Sequence, residues 1–131
     1  MLMGGRPVMP LLDRSATISD LKEVAASFTA KRDWDQFHDA KDLAIGLVTE
    51  ASELLQHFRF KSADEIEQLL SHRQVRLALE DEMADVFFML LRLSTRLQTD
   101  LAATFERKLK KNSRNYPARR SKGKNIKHDE R

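Results

Sequence analysis

A chain of 131 residues is one domain's worth, and 41% apolar with 33% charged residues describes a soluble globular protein rather than a disordered one. Only 4 Gly and 3 Pro are present, which is too few turn formers for a β-sandwich of this length, so an all-α fold is expected. With no Cys, disulfides, thiolate metal sites and a cysteine nucleophile are excluded, in keeping with a reducing cytoplasm, and the net charge of +3 is too small to dictate a partner by itself.

Residues 1–15 read as a flexible arm, whose apolar residues are interrupted by Arg6, Pro7 and Pro10 and make a poor signal peptide. A first helix is expected over about Ser19–Ala30, where Leu21, Val24, Ala25 and Phe28 recur at helical spacing. Residues Lys31 to Asp39 form a polar connector expected to turn two aromatic rings inward. Asp39 or a neighbour then caps a second helix of about Ala40–Phe58. Ser62-Ala63-Asp64-Glu65 has the spacing of a capping box and starts a short third helix to about Leu70. The fourth helix is long, about His72–Gln98, and Asp100 caps a fifth of about Leu101–Asn112. Tyr116-Pro117 is expected to end the ordered domain, 16–117. Residues 118–131 form a basic tail with Arg119, Arg120, Lys122, Lys124, Lys127 and Arg131 against Asp129 and Glu130. It is read as a flexible, solvated end, with nucleic-acid binding not favoured. The longest apolar run, Val86 to Leu91, stops at Arg92 and is far too short to span a bilayer, so no membrane partner is expected.

The chemistry lies in two helices. On the fourth, Val75, Leu79, Val86, Met89, Leu90 and Leu93 form an apolar stripe, with Glu82 inside it and Asp85 one turn on. On the second, Leu43, Leu47, Leu54 and Phe58 mark the apolar side, with Glu50 between them and Glu53 one turn along, between Gly46 and His57. Each helix thus carries a carboxylate pair at i, i+3 on or beside the face it should bury. Lone buried carboxylates cost several kcal/mol, on the order of a whole helix cap or more, unless neutralised. Protons or hard divalent cations that favour oxygen shells, Mg²⁺ or Mn²⁺, are the available means. Downstream, Lys108, Asn112 and Tyr116 fall at i, i+4, i+8 among Lys110, Lys111 and Arg114, a set of donors suited to a triphosphate.

Glu50-x-x-Glu53, a gap of 28 residues and Glu82-x-x-Asp85 together resemble the metal signature of MazG-like nucleotide pyrophosphohydrolases. The lead-in Arg32-Asp33-Trp34-Asp35-Gln36-Phe37-His38 and the exit Lys108-x-x-x-Asn112-x-x-x-Tyr116-Pro117 are similar to the dCTP pyrophosphatase branch, and the similarity runs from about Ile18 to Pro117. The resemblance implies a four-helix-type bundle completed by oligomerisation into a homodimer or homotetramer. It implies Mg²⁺ held by Glu50, Glu53, Glu82 and Asp85, the same four residues serving catalysis. It implies conversion of a (d)NTP, dCTP or a modified dNTP among them, to (d)NMP and pyrophosphate. It further implies that Trp34 and His38 help form the nucleotide pocket, and that Lys108, Asn112 and Tyr116 contact phosphate or sugar. Four positions depart from the animal dCTP enzymes: Phe60 stands for a base-stacking Trp, Met89 for a Tyr, Ala25 for a pocket His and Asp42 for an Asn. An aromatic face at Phe60 still permits stacking.

Two rivals are set against this reading. A di-iron carboxylate bundle would need Glu-x-x-His motifs, and neither Glu50 nor Glu82 has His at i+3. A non-catalytic helical module binding through the basic tail would leave the embedded acids unexplained. The all-round apolar stretch Val86 to Leu91 favours a helix covered by a second copy of the chain.

Overall fold

The computed structural model describes residues 10–127 and Asp129. Residues 1–9 of the expected arm, and His128, Glu130 and Arg131 of the expected tail, lie outside the described residues. Every regular element among the described residues is helical, and none of the helices is long and apolar enough to cross a membrane. The chain divides into two compact units, Met1–Leu97 and Gln98–Arg131.

In the first unit, α1 (Ile18–Ala30) starts at Thr17 rather than near Ser19. Thr17 Oγ1 accepts from the Asp20 N–H at 3.1 Å and the Asp20 carboxylate accepts from the Thr17 N–H at 2.9 Å. This reciprocal box satisfies two orphan donors where a cap at Ser19 offers no such return bond. A short 3₁₀ turn, Asp35–Phe37, follows. Helix α2 (Ala40–Gln56) is capped by Asp39, whose Oδ1 accepts from the Asp42 N–H at 2.8 Å. Helix α3 (Ala63–Leu70) carries the Ser62–Glu65 capping box in full. Helix α4 (Arg73–Arg96) is the hub on which α1, α2 and α3 all pack, most extensively α2.

Burial along α4 departs from the expected stripe. Leu90 is exposed, while Leu91, Arg92 and Ser94 are buried. The cause is α1, whose Phe28 meets Phe88 edge-on at 5.8 Å. Phe88, Leu91 and Arg92 are i, i+3, i+4 and share the face that α1 covers. The connector also differs from expectation. Trp34 leans edge-on against Phe28 at 5.9 Å yet stays 45% exposed, and Phe37 is 63% exposed. Residues three apart eclipse in a 3₁₀ turn, so Asp35 and His38 both reach Arg92 of α4, while Phe37 turns to solvent.

In the second unit, α5 (Leu101–Asn115) is capped by Asp100, whose Oδ1 accepts from the Ala103 N–H at 2.9 Å. It runs to the last residue before Tyr116, which leaves the helical region because Pro117 follows. The chain does not end its order there, as expected, but forms one more short turn, α6 (Ala118–Ser121).

Candidate metal centre

Helix α2 presents Gly46, Glu50, Glu53 and His57 along one side, and α4 presents Glu82, Asp85 and Met89. Two contacts fix how these sides meet. A Cβ on Gly46 would lie 2.9 Å from Met89 Sδ, so the Met89 thioether rests directly on the glycine and would have to shift for any larger residue. Near the other end of α2, His57 Nε2 lies 3.7 Å from Glu82 Oε1. Rising along α2 therefore means descending along α4, and the two helices run antiparallel.

Between those contacts the acids gather. Glu50, Glu53 and Glu82 each offer a carboxylate oxygen, and the three oxygens lie within 4.8 Å of one another. Glu50 and Glu82 are half-buried and Glu53 is exposed. Asp85 is exposed and is not one of the three, although its charge reaches Glu50. Burial pushes the Glu50 carboxyl above the usual carboxylate range, and the charges of Glu53, Asp85 and Glu82 push it the same way. Protein groups thus leave the cluster under-neutralised. The donors are all hard oxygens at short mutual range, which fits a divalent ion of the Mg²⁺ class. His57 is placed to orient Glu82 rather than to complete the trio.

The other expected site residues fall into two groups. Trp34, His38 and Phe60 belong to the first unit with the acids. Phe60, between α2 and α3, is 90% exposed and sits at φ 61°, with the Arg59 guanidinium 4.5 Å above its ring. A bulky residue in the left-handed region is strained on the order of 1 kcal/mol or more, and at 90% exposure burial does not offset it. Of the positions where the resemblance leads one to expect Tyr and His, Met89 fills the hole over Gly46 and Ala25 is buried in the core. Lys108, Asn112 and Tyr116 belong to the second unit, the first two on α5 and Tyr116 as its C-cap, with the Tyr116 N–H donating to the Asn112 carbonyl at 2.7 Å.

Sequence reasoning passed over Arg92. Its side chain is buried and donates from Nη2 to Asp35 Oδ1 at 2.5 Å and from Nε to His38 Nδ1 at 3.4 Å. Its signal was available: Glu82, Asp85, Met89 and Arg92 continue one helical stripe at steps of three and four.

With this geometry in view, the likenesses to known proteins are specific. Residues 45–130 match the sequence model of the MazG-like family. dCTP pyrophosphatase 1 of Bos taurus is 35% identical over 107 residues, 82% of this chain and 63% of that protein. The Homo sapiens protein of the same name is 34% identical over 114 residues, 87% of this chain and 67% of that protein. The chain thus spans about two thirds or less of the length of these curated relatives. The crystal structure of a pyrophosphatase from Archaeoglobus fulgidus superposes with a TM-score of 0.72 at 30% identity, covering 82% of this chain and 99% of that one. The paired acidic motifs, the helical hub that brings three of their carboxylates together, and the match over residues 45–130 lead to one statement: the chain belongs to the MazG-like family.

Proposed function

We propose that this protein is a Mg²⁺-dependent nucleoside triphosphate pyrophosphohydrolase, cutting a (d)NTP to (d)NMP and pyrophosphate. The observation that carries the reading is the convergence of Glu50, Glu53 and Glu82 on one small volume, where burial and the neighbouring acids raise the Glu50 carboxyl above its ordinary range. The relatives named dCTP pyrophosphatase 1 support a nucleotide substrate and make dCTP the first to test. Glu50, Glu53 and Glu82 would hold the ion, with Asp85 at the edge of the cluster. When bound, Mg²⁺ supplies neutralisation of phosphate charge and acidifies a coordinated water. One carboxylate of the Glu50/Glu53 pair accepts the proton of the attacking water. Trp34 and the exposed aromatic face of Phe60 offer stacking surfaces for a base. Lys108, Asn112 and Tyr116 are assigned to phosphate or sugar by motif alone.

Oligomerisation belongs to the same proposal. Ile45, Val48 and Leu55 on α2, and Met83, Phe87 and Leu90 on α4, are large apolar side chains left exposed at helical spacing. Such faces fit cover by a second copy, as a homodimer or a homotetramer. A cysteine-free chain of this kind suits a reducing cytoplasm.

The test is a hydrolysis screen of the common nucleoside triphosphates with and without Mg²⁺, with products resolved. The expected result is Mg²⁺-dependent release of pyrophosphate and the matching monophosphate. Release of orthophosphate, or no turnover of any triphosphate, overturns the reading.

A further inference from the structure

We propose that Arg92 is a positioning residue that locks His38 as a neutral imidazole carrying its proton on Nε2, so that the ring offers a hydrogen-bond donor, and no acceptor, to an oxygen on the nucleoside part of the substrate. This rests on the nucleotide reading above and deepens it.

Arg92 is the one charged side chain buried among the described residues, at 6% exposed. A guanidinium out of water is costly unless its donors are met. Here two of them, on Nε and Nη2, are met by one segment, the 3₁₀ turn with its C-cap, through His38 Nδ1 and Asp35 Oδ1. A guanidinium has only donors. His38 Nδ1 must therefore accept, which excludes both the Nδ1–H tautomer and the imidazolium. The remaining form has its only proton on Nε2. Burial and the Arg92 charge both hold the His38 pKa below its ordinary value, with Asp35 opposing, so the neutral ring is also the favoured charge state.

Position supplies the other half. Arg92 lies seven residues beyond Asp85 on α4, about 10 Å along the helix axis. His38, held by Arg92, is thus set well along the helix from the acids that suit the phosphates, and Trp34 flanks the same short turn. In the proposed pose, a substrate whose phosphates meet the carboxylates would reach His38 with its sugar or base. Opposite a fixed Nε2–H, a carbonyl or hydroxyl oxygen is satisfied, whereas an amino group leaves two donors face to face, a mismatch that selects against it.

The experiment is ¹⁵N–¹H NMR of the histidine rings in the full chain at neutral pH, with the His38 signals assigned by their absence in His38→Gln. The expected spectrum shows Nε2 protonated and Nδ1 bare. In Arg92→Met, whose folding is checked by circular dichroism, the fixed pattern gives way to exchange between the two neutral tautomers. Adding deoxycytidine monophosphate shifts the wild-type Nε2–H resonance, and its affinity falls roughly tenfold in Arg92→Met, the worth of one hydrogen bond. A wild-type Nδ1–H, an unchanged tautomer in Arg92→Met, or a His38 resonance indifferent to the nucleotide overturns the proposal. These readouts need no turnover. An inactive protein with the locked tautomer and nucleotide-sensitive ring would sink the hydrolase reading and leave this one standing.

Discussion

The two halves of α4 handle charge in opposite ways. Toward its C-terminal end Arg92 is buried, but its charge is answered within the chain by Asp35 and His38. Toward the middle Glu82 is half-buried beside Glu50 and Glu53, neighbours of the same sign, with the His57 ring 3.7 Å from Glu82. A buried charge that meets its partners organises the fold around it. Three clustered acids of one sign are a standing cost, which a cation from outside the chain would offset.

The sharpest way to break this contrast is to neutralise the unanswered charges. Glu53→Gln or Glu82→Gln is expected to lower kcat roughly 100- to 1,000-fold at saturating Mg²⁺ in steady-state assays while circular dichroism stays helical. Full activity in Glu82→Gln would dissolve the contrast. The next effect is geometric. Gly46→Ala drives a Cβ into Met89, and urea unfolding should show a loss of about 1–3 kcal/mol together with weaker divalent binding. Shortening Met89 to Ala in the same chain should recover part of both.

The answered charge gives an asymmetric pair. Asp35→Ala strands a buried guanidinium and should cost about 2 kcal/mol in the same unfolding assay, less than for a fully buried pair because Asp35 itself is exposed. Arg92→Met replaces the cation with apolar bulk and should cost less than Asp35→Ala. The reverse ranking would mean that Arg92 acts through packing of its stem alone.

The smallest effect concerns pH. The Glu50 carboxyl is raised in the folded state, so its contribution to stability is present below the ordinary carboxylate range and is lost as pH rises through the raised value. Metal-free Glu50→Gln should therefore melt above the metal-free wild type at pH 7. That advantage should vanish in acid, and also on adding Mg²⁺ to the wild type. Thermal melts across pH check both.

These tests also mark how far the chain could be read before folding. Caps that work locally were legible: Asp39, Ser62 with Glu65, and Asp100 each bond a backbone N–H three residues away. Thr17 was missed because Thr17 and Ser19 both stand near the start of α1, and only the return bond from Asp20 separates them. The acidic pairs were legible as interruptions of apolar stripes. Their unequal roles were not, since Asp85 falls outside the tight trio only once α2 and α4 have docked. Arg92 was passed over for a different reason: the helical stripe marks the face it lies on but not the partners it meets. In sequence it reads as the end of an apolar run, and its partners lie 54 and 57 residues away. Phe37 and Trp34 suggested inward rings, because nothing local revealed that Asp35 and His38 would be the residues of the turn that Arg92 holds.

The central claim is that Glu50, Glu53 and Glu82 form one cation site. Titrating the metal-free protein with Mn²⁺ and counting free ion by electron paramagnetic resonance tests it without reference to any substrate. The account predicts saturable binding that Mg²⁺ competes away and that weakens at least about tenfold, the loss of one charged ligand, in both Glu50→Gln and Glu82→Gln. Undiminished Mn²⁺ binding in both variants would contradict it.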